Sequence, residues 1–372
     1  IYGEAATLGV ATTLTSTGSG AITFGNTLNG AQTLAINTSG GTTFTGAVGN
    51  TTALTSVTTD VGGSVAINGS VAINGGVVNT TGAQIYGEAA TLGAATTLTS
   101  TGSGAITFGN TLNGAQTLAV NTSGVTTFTG AVGDSMALTS LTTDAGTAGS
   151  VAINGGVVNT TGAQIYGEAA TLGAATTLTS TGSGAITFGN TLNGAQTLAI
   201  NTSGVTTFTG AVGNTTALSS ITTDAGGSVA INGGVVNTTG AQIYGEAATL
   251  GVATTLTSTG SGAITFGNTL NGEQTLVINT SGVTTFTGAV GDSTALTSLT
   301  TDAGTAGSVA INGGVVNTTG AQIYGEVATL GADTVLTSTN SGAITFGNTL
   351  DGAKNLTLNT AGVTTFNGAV GN

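Results

Sequence analysis

The nineteen residues TGSGAITFGNTLNGAQTLA occur three times without change, at Thr17–Ala35, Thr101–Ala119 and Thr181–Ala199, and twice more with substitutions, at Thr259–Val277 and Thr339–Thr357. Identity over that length makes the chain a tandem array and restricts it to folds that stack one small unit on the next. The motif IYGE opens each unit, at Ile1, Ile85, Ile165, Ile243 and Ile323, which gives repeats 1–84, 85–164, 165–242, 243–322 and a partial 323–372. We read these as a single continuous array without independent globular domains. A chain that opens on IYGE without a Met and stops inside a repeat reads as an internal piece of a longer protein.

Spacing decides the kind of array. Tyr to first Phe is 22 residues in every repeat, as from Tyr86 to Phe108, and first Phe to second Phe is 20, as from Phe108 to Phe128. All length variation falls between the second Phe and the next Tyr. There the first repeat duplicates a block (Ser64–Gly76), and the second and fourth add two residues (Asp144–Ser150 and Asp302–Ser308). Insertion at one point predicts a loop there and strict register elsewhere.

Ile106 and Phe108 alternate with Thr107, Leu118 and Val120 with Ala119, and Val151 and Ile153 with Ala152, the period of a half-buried strand. Asn113-Gly114, Asn154-Gly155 and Gly102-Ser103-Gly104 predict positive-φ turns between such strands. No stretch keeps a 3.6-residue apolar period. The prediction is an all-β parallel β-helix, or β-solenoid, with coils of about 20 to 22 residues and about four coils per repeat of 78 to 84 residues. At about 4.8 Å per coil a repeat advances about 19 Å. A stack of amyloid hairpins would need one period only, and the two fixed spacings disfavour it.

Composition limits the partners. Lys354 is the only basic side chain in a net charge of −13, so nothing is present to displace counterions from a nucleic acid or to bind an anionic membrane surface. No apolar run has the 18 or so residues of a spanning helix, so no membrane insertion is expected. With no Cys, disulfides and thiolate metal sites are excluded. The sequence asks for no cofactor.

The phrases VVNTTGAQIYGEAATLGAATTLTSTGSGAITFGNTLNG and VTTFTGAVGNTTALSSITTDAGGSVAINGG resemble the β-strand repeats of filamentous-haemagglutinin-like adhesins, which bacteria export by two-partner secretion or as autotransporter passengers. The resemblance covers essentially the whole chain. It implies a right-handed parallel β-helix at the bacterial cell surface or outside the cell, serving as stalk, matrix fibre or adhesin.

Four chemistries have candidate residues in the chain. Glu88, Glu168 and Glu246 recur once per repeat, too far apart to form an acid/base pair with one another, so no enzyme is expected; the carboxylates read as surface charges, although a Glu could meet an Asp of another segment, such as Glu88 with Asp144. Asp144, Asp224 and Asp302 in TTDAG read as turn formers in preference to calcium ligands. Asn37, Asn50, Asn79, Asn121, Asn159, Asn201, Asn214, Asn237, Asn279 and Asn317 are formal glycosylation acceptors; the competing reading is corner Asn residues bonding to Asn of the next coil. Outward Thr pairs such as Thr97/Thr99 and Thr127/Thr129 raise ice binding, but the equivalents one coil away are Thr107 and Gly109.

The structural core is expected to include an aromatic ladder: Tyr2, Phe24, Phe44, Tyr86, Phe108, Phe128, Tyr166, Phe188, Phe208, Tyr244, Phe266, Phe286, Tyr324, Phe346 and Phe366. The expected function is a stiff extracellular fibre, sheath or adhesin stalk whose partner is a further copy of itself, joined head to tail or laterally through open ends. The alternatives are a surface that binds glycans or receptors, with specificity in the variable segment between Phe128 and Tyr166, and an ice-binding solenoid.

Overall fold

Three short edges separated by corners make one coil. The computed structural model describes residues 1–60, 69–144, 148–302 and 306–371, and the chain divides into two compact units, Ile1–Asn190 and Thr191–Asn372. In the first, Gln84–Tyr86 is followed by Ala89–Leu92 and Thr96–Ser100, and the chain then returns as Ile106–Phe108 paired in parallel with Gln84–Tyr86. In-register partners on this face are Tyr86, Phe108, Phe128, Ile153 and Leu172, so successive coils take 22, 20, 25 and 19 residues.

A second face of the same unit runs Ile22–Phe24, Gly41–Phe44, Ser70–Ile73, Ala89–Leu92 and Leu112–Asn113, and passes through Val132 to Val157–Thr160. The third contains Val77–Thr80, Thr96–Ser100, Thr117–Thr122, Ser140–Thr143, Gln164–Tyr166 and Ile186–Phe188. The unit Thr191–Asn372 is built likewise; there Gln242–Tyr244, Ile264–Phe266, Val283–Phe286, Ser308–Ile311 and Val327–Leu330 pair in sequence, all parallel. The fold is therefore an all-β parallel β-solenoid. Hairpins, which pair antiparallel, have no place in these ladders.

The alternation seen in the sequence sets which side chains fill it. Leu98, Val120 and Leu141 are fully buried on one face, and Ile106, Phe128 and Ile153 on another, while the intervening Thr and Ala point outward. Each side chain removed from water stabilises by about 1.5 to 3 kcal/mol, and β-branched Thr, Val and Ile suit the pleat.

Counting edges alters the relation between repeats. From Gln84 to Thr160 the second repeat has three complete coils and two edges of a fourth; the missing third edge is Gln164–Tyr166, the start of the next repeat. The short fourth segment thus belongs to a coil that the first edge of the next repeat completes. Within the first unit each repeat consequently starts one third of a turn away from its predecessor. In the first unit Tyr2, Phe24 and Phe44 lie on the second face, Tyr86, Phe108 and Phe128 on the first, and Tyr166 and Phe188 on the third.

The aromatic residues therefore form short columns, one per repeat, in place of one long ladder. Tyr86 and Phe108 stack at 5.2 Å and Phe108 and Phe128 at 5.7 Å, and Tyr244, Phe266 and Phe286 repeat those distances. Tyr2, Phe24 and Phe44 stack at 5.1 and 5.6 Å, Tyr166 and Phe188 at 5.0 Å, and Tyr324, Phe346 and Phe366 at 5.0 and 5.4 Å. Phe208 is fully buried. Gln explains why each interior column starts with Tyr: the Tyr86 hydroxyl donates to Gln84 Oε1 at 3.0 Å, and Gln84 Nε2 donates to the carbonyls of Val78 (3.1 Å) and Thr99 (2.9 Å). Gln164, Gln242 and Gln322 hold Tyr166, Tyr244 and Tyr324 in the same way.

Of the expected turns, the Gly102-Ser103-Gly104 cluster holds, and Asn154-Gly155 is corrected by one residue. In Gly102-Ser103-Gly104 the positive φ, 62°, belongs to Ser103, whose hydroxyl meets that of Ser123 at 2.6 Å; Gly104 is needed because a Cβ there would lie 2.1 Å from the carbonyl carbon of Gly82. In the second case the positive φ is on Gly156, not on Asn154 or Gly155. The expected turn at Gly114 has φ 128°. Of the duplicated block, residues 64–68 lie outside the described residues, and the second copy supplies Ser70–Ile73, which pairs with Gly41–Phe44 and Ala89–Leu92. The loops expected at 144–150 and 302–308 include 145–147 and 303–305, also outside the described residues.

Packing is not uniformly satisfied. The Thr126 hydroxyl is buried without a hydrogen-bond partner between Ile106 and Val151. Thr126→Val keeps the shape and removes the unpaired group, and is expected to stabilise the chain by about 1 kcal/mol, read as a raised denaturant midpoint at unchanged slope.

Candidate functional site: acid pairs at the coil corner

The four interior Glu residues are not on the surface. Glu88 is 4 % exposed and Glu168, Glu246 and Glu326 are 1 % exposed each, which overturns the expectation of solvent-facing charges. Register explains it. Tyr86 pairs with Thr59, Tyr166 with Thr143, Tyr244 with Thr223 and Tyr324 with Thr301. The corner Tyr-Gly-Glu therefore stacks on the corner Thr-Thr-Asp of the preceding coil. Gly sits between because a Cβ at Gly87 would lie 1.9 Å from the carbonyl oxygen of Asp60.

Each Glu then reaches back to the corner beneath it. The hydroxyl of Thr59 donates to Glu88 Oε2 at 2.6 Å, that of Thr143 to Glu168 Oε2 at 2.8 Å and that of Thr301 to Glu326 Oε2 at 3.0 Å; Thr223 donates to Glu246 likewise. Asp60 accepts from the Thr38 amide at 2.9 Å, Asp302 from that of Thr280 at 2.6 Å, Asp144 from that of Thr122 and Asp224 from that of Thr202. The Asp residues do shape the corner, and in addition each acts on a Glu: Asp60, not Asp144, is within hydrogen-bond reach of Glu88, and Glu168 feels the charge of Asp144.

Electrostatics follow from this enclosure. Burial first, then the Asp60 carboxyl, pushes Glu88 up to about 7; burial chiefly, with Asp302 contributing, pushes Glu326 up to about 7. Burial also raises Glu168 and Glu246, and Asp144, Asp224 and Asp302. The phenols of Tyr86, Tyr166, Tyr244 and Tyr324 are pushed well above the usual range by burial. A buried carboxyl beside a second acid favours the state in which one of the two holds a proton. Among the described residues no three Asp, Glu, His or Cys side chains converge to hold a metal ion.

The Asp side of two pairs opens on a shallow groove of about 260 Å³. One is lined by Thr99, Ser100, Asn121, Thr122 and Asp144, and its counterpart by Thr15, Ser16, Asn37, Thr38 and Asp60. Of the described residues of the variable segment between Phe128 and Tyr166, Asp144 and Ala148 line the first.

The ten sequon Asn residues divide by environment. Asn37, Asn50, Asn121, Asn201 and Asn214 are exposed, whereas Asn79, Asn159, Asn237, Asn279 and Asn317 are half-buried. Asn79, Asn159, Asn237 and Asn317 donate to the carbonyls of Gly49, Gly133, Gly213 and Gly291 at 3.3 to 3.4 Å. Their neighbours across the ladder are Thr residues, as Thr99 beside Asn79, so the expected Asn-to-Asn bonds are replaced by side-chain bonds to backbone. An ice-type lattice is interrupted too: the outward column on one face reads Ile85, Thr107, Thr127, Ala152, Thr171.

No protein-family profile, curated protein or solved structure matches this chain. No helix among the described residues is long and apolar enough to cross a membrane. A Glu–Asp meeting was open in the sequence but with the wrong partner for Glu88, and the Gln–Tyr clamps were not foreseen; the recurrences Gln-x-Tyr-Gly-Glu and Thr-Thr-Asp carry both.

Proposed function

We propose that this chain is a structural segment of a secreted bacterial surface protein, forming a stiff extracellular fibre, sheath or adhesin stalk that associates with further copies of itself. The third-of-a-turn advance per repeat supports this reading most. It turns the same chemistry to all three faces in succession, which suits a rod of even stiffness better than a one-sided binding plane. The continuous parallel ladders within each unit supply that stiffness through backbone bonds along the axis. The broken outward Thr column weighs against ice recognition, which thermal hysteresis of the purified chain would test. A carboxyl that is 1 % exposed offers a substrate no approach, which favours a non-enzymatic role.

A second reading, a glycan-binding surface, draws on the Asp60 and Asp144 grooves, whose lining is hydroxyl- and amide-rich. Electron microscopy of the purified chain across a concentration series, paired with a glycan array, separates the two. Rods that join as concentration rises, with no saturable saccharide, are the expected result. A chain that stays monomeric at high concentration sinks the self-association, and a saturable saccharide moves the function to the grooves.

A further inference from the structure

We propose that the four Asp–Glu pairs, Asp60/Glu88, Asp144/Glu168, Asp224/Glu246 and Asp302/Glu326, are proton-held clasps that fasten each coil corner to the next in acid and loosen it as the medium becomes neutral to alkaline. The inference rests on the corner geometry and is independent of the structural role proposed above.

The first support is the register. A Tyr-Gly-Glu corner lies on a Thr-Thr-Asp corner four times, although the segment between them varies, with 27, 23, 21 and 23 residues separating the paired Thr and Tyr. The second is the missing counter-charge. Facing each Glu from below are an Asp and a Thr; its own strand contributes a buried Tyr; and the coil above contributes Gly-Asn, as Gly109-Asn110 and Gly189-Asn190, with nothing that ionises. The chain's only basic side chain, Lys354, acts on Asp333 instead. A solvated proton is then the one neutralising species the pair can take up without a partner.

The third is an unpaired atom. Glu88 Oε1 is buried and has no hydrogen-bond partner among the described residues, while the Asp60 carboxyl is within hydrogen-bond reach of the Glu88 side chain. Two ionised carboxylates are acceptors only, so the bond between them exists when one carries a proton and is replaced by repulsion when neither does.

The sign follows from linkage. Each Glu titrates higher in the fold than in an open chain, so the folded state binds more protons and the clasp's contribution is fully present below the ordinary Glu value. It is lost as pH rises toward about 7, the value of Glu88 and Glu326. Amide exchange of the full chain reads the corner directly, because the amides of Gly87 and Gly167 donate to the carbonyls of Thr59 and Thr143 there.

Corrected for intrinsic rates, protection at Gly87, Gly167, Gly245 and Gly325 is expected to fall at least about tenfold between pH 5 and pH 8. In the quadruple variant E88Q/E168Q/E246Q/E326Q, whose amide donates permanently to the Asp, it is expected to stay level. Level protection in the unaltered chain, or an equally steep fall in the variant, overturns the clasp and assigns the pH response to general charge repulsion. Should the variant fail to fold, carboxyl carbon NMR of the unaltered chain decides: Glu88 and Glu326 titrating near 7 uphold the clasp, and titration in the ordinary carboxylate range overturns it.

Discussion

Replacing Phe108 with Ala is expected to cost about 3 to 5 kcal/mol. Its ring is 1 % exposed and lies between Tyr86 at 5.2 Å and Phe128 at 5.7 Å. Truncation leaves a cavity that neighbouring coils cannot close, because the backbone ladders above and below fix their spacing. Phe366 provides the comparison, being 41 % exposed with one stacked neighbour, Phe346, at 5.4 Å. Phe366→Ala is expected to cost less than half as much. Denaturant unfolding of the two variants, with matched slopes, measures the difference; equal losses would mean that the interior columns do not hold the coils together.

Gly155→Ala is expected to be at least as damaging, by more than about 3 kcal/mol or by loss of folding at the coils around it. A Cβ at Gly155 would lie 2.0 Å from the carbonyl oxygen of Gly130 and 2.1 Å from its carbon. Backbone, not a movable side chain, occupies that space. The same glycine-on-glycine approach recurs at Gly75 over Gly46, Gly233 over Gly210 and Gly313 over Gly288. At Gly41 an added Cβ meets nothing nearer than the Ser70 hydroxyl at 3.6 Å, so Gly41→Ala should leave the midpoint essentially unchanged. Amide exchange locates the damage: in a solenoid each coil meets only its neighbours, so protection should drop near Gly130 and Gly155 first.

Much of the fold is legible in the sequence. The 22- and 20-residue spacings are the in-register distances from Tyr86 to Phe108 and from Phe108 to Phe128. The inward assignment of Ile106, Leu118, Val120, Val151 and Ile153 follows from alternation, since successive side chains of a strand point to opposite faces. Those signals are local. They survive in sequence because each depends only on residues two apart, or on a coil length that every repeat keeps.

The acid pairs were hidden for the opposite reason. The distance between paired Thr-Thr-Asp and Tyr-Gly-Glu corners runs through the one segment whose length changes, so no fixed spacing announced it. A Glu in a chain with a single basic side chain is also expected in water, because a buried carboxylate needs a partner. Only the stacking of one corner on another supplied that partner, and it proved to be a second acid.

The nineteen identical residues thus fix a coil: an inward Ile and Phe, a turn at Asn-Gly, and a return one coil later. That much the amino acids determine by themselves, because pattern and length act within a single turn of chain. Where the coil points was decided by the tertiary structure. Three edges close a coil and eleven make a repeat, so identical sequences face three directions in turn, and residues distant in the chain meet at corners that only the closed coil brings together.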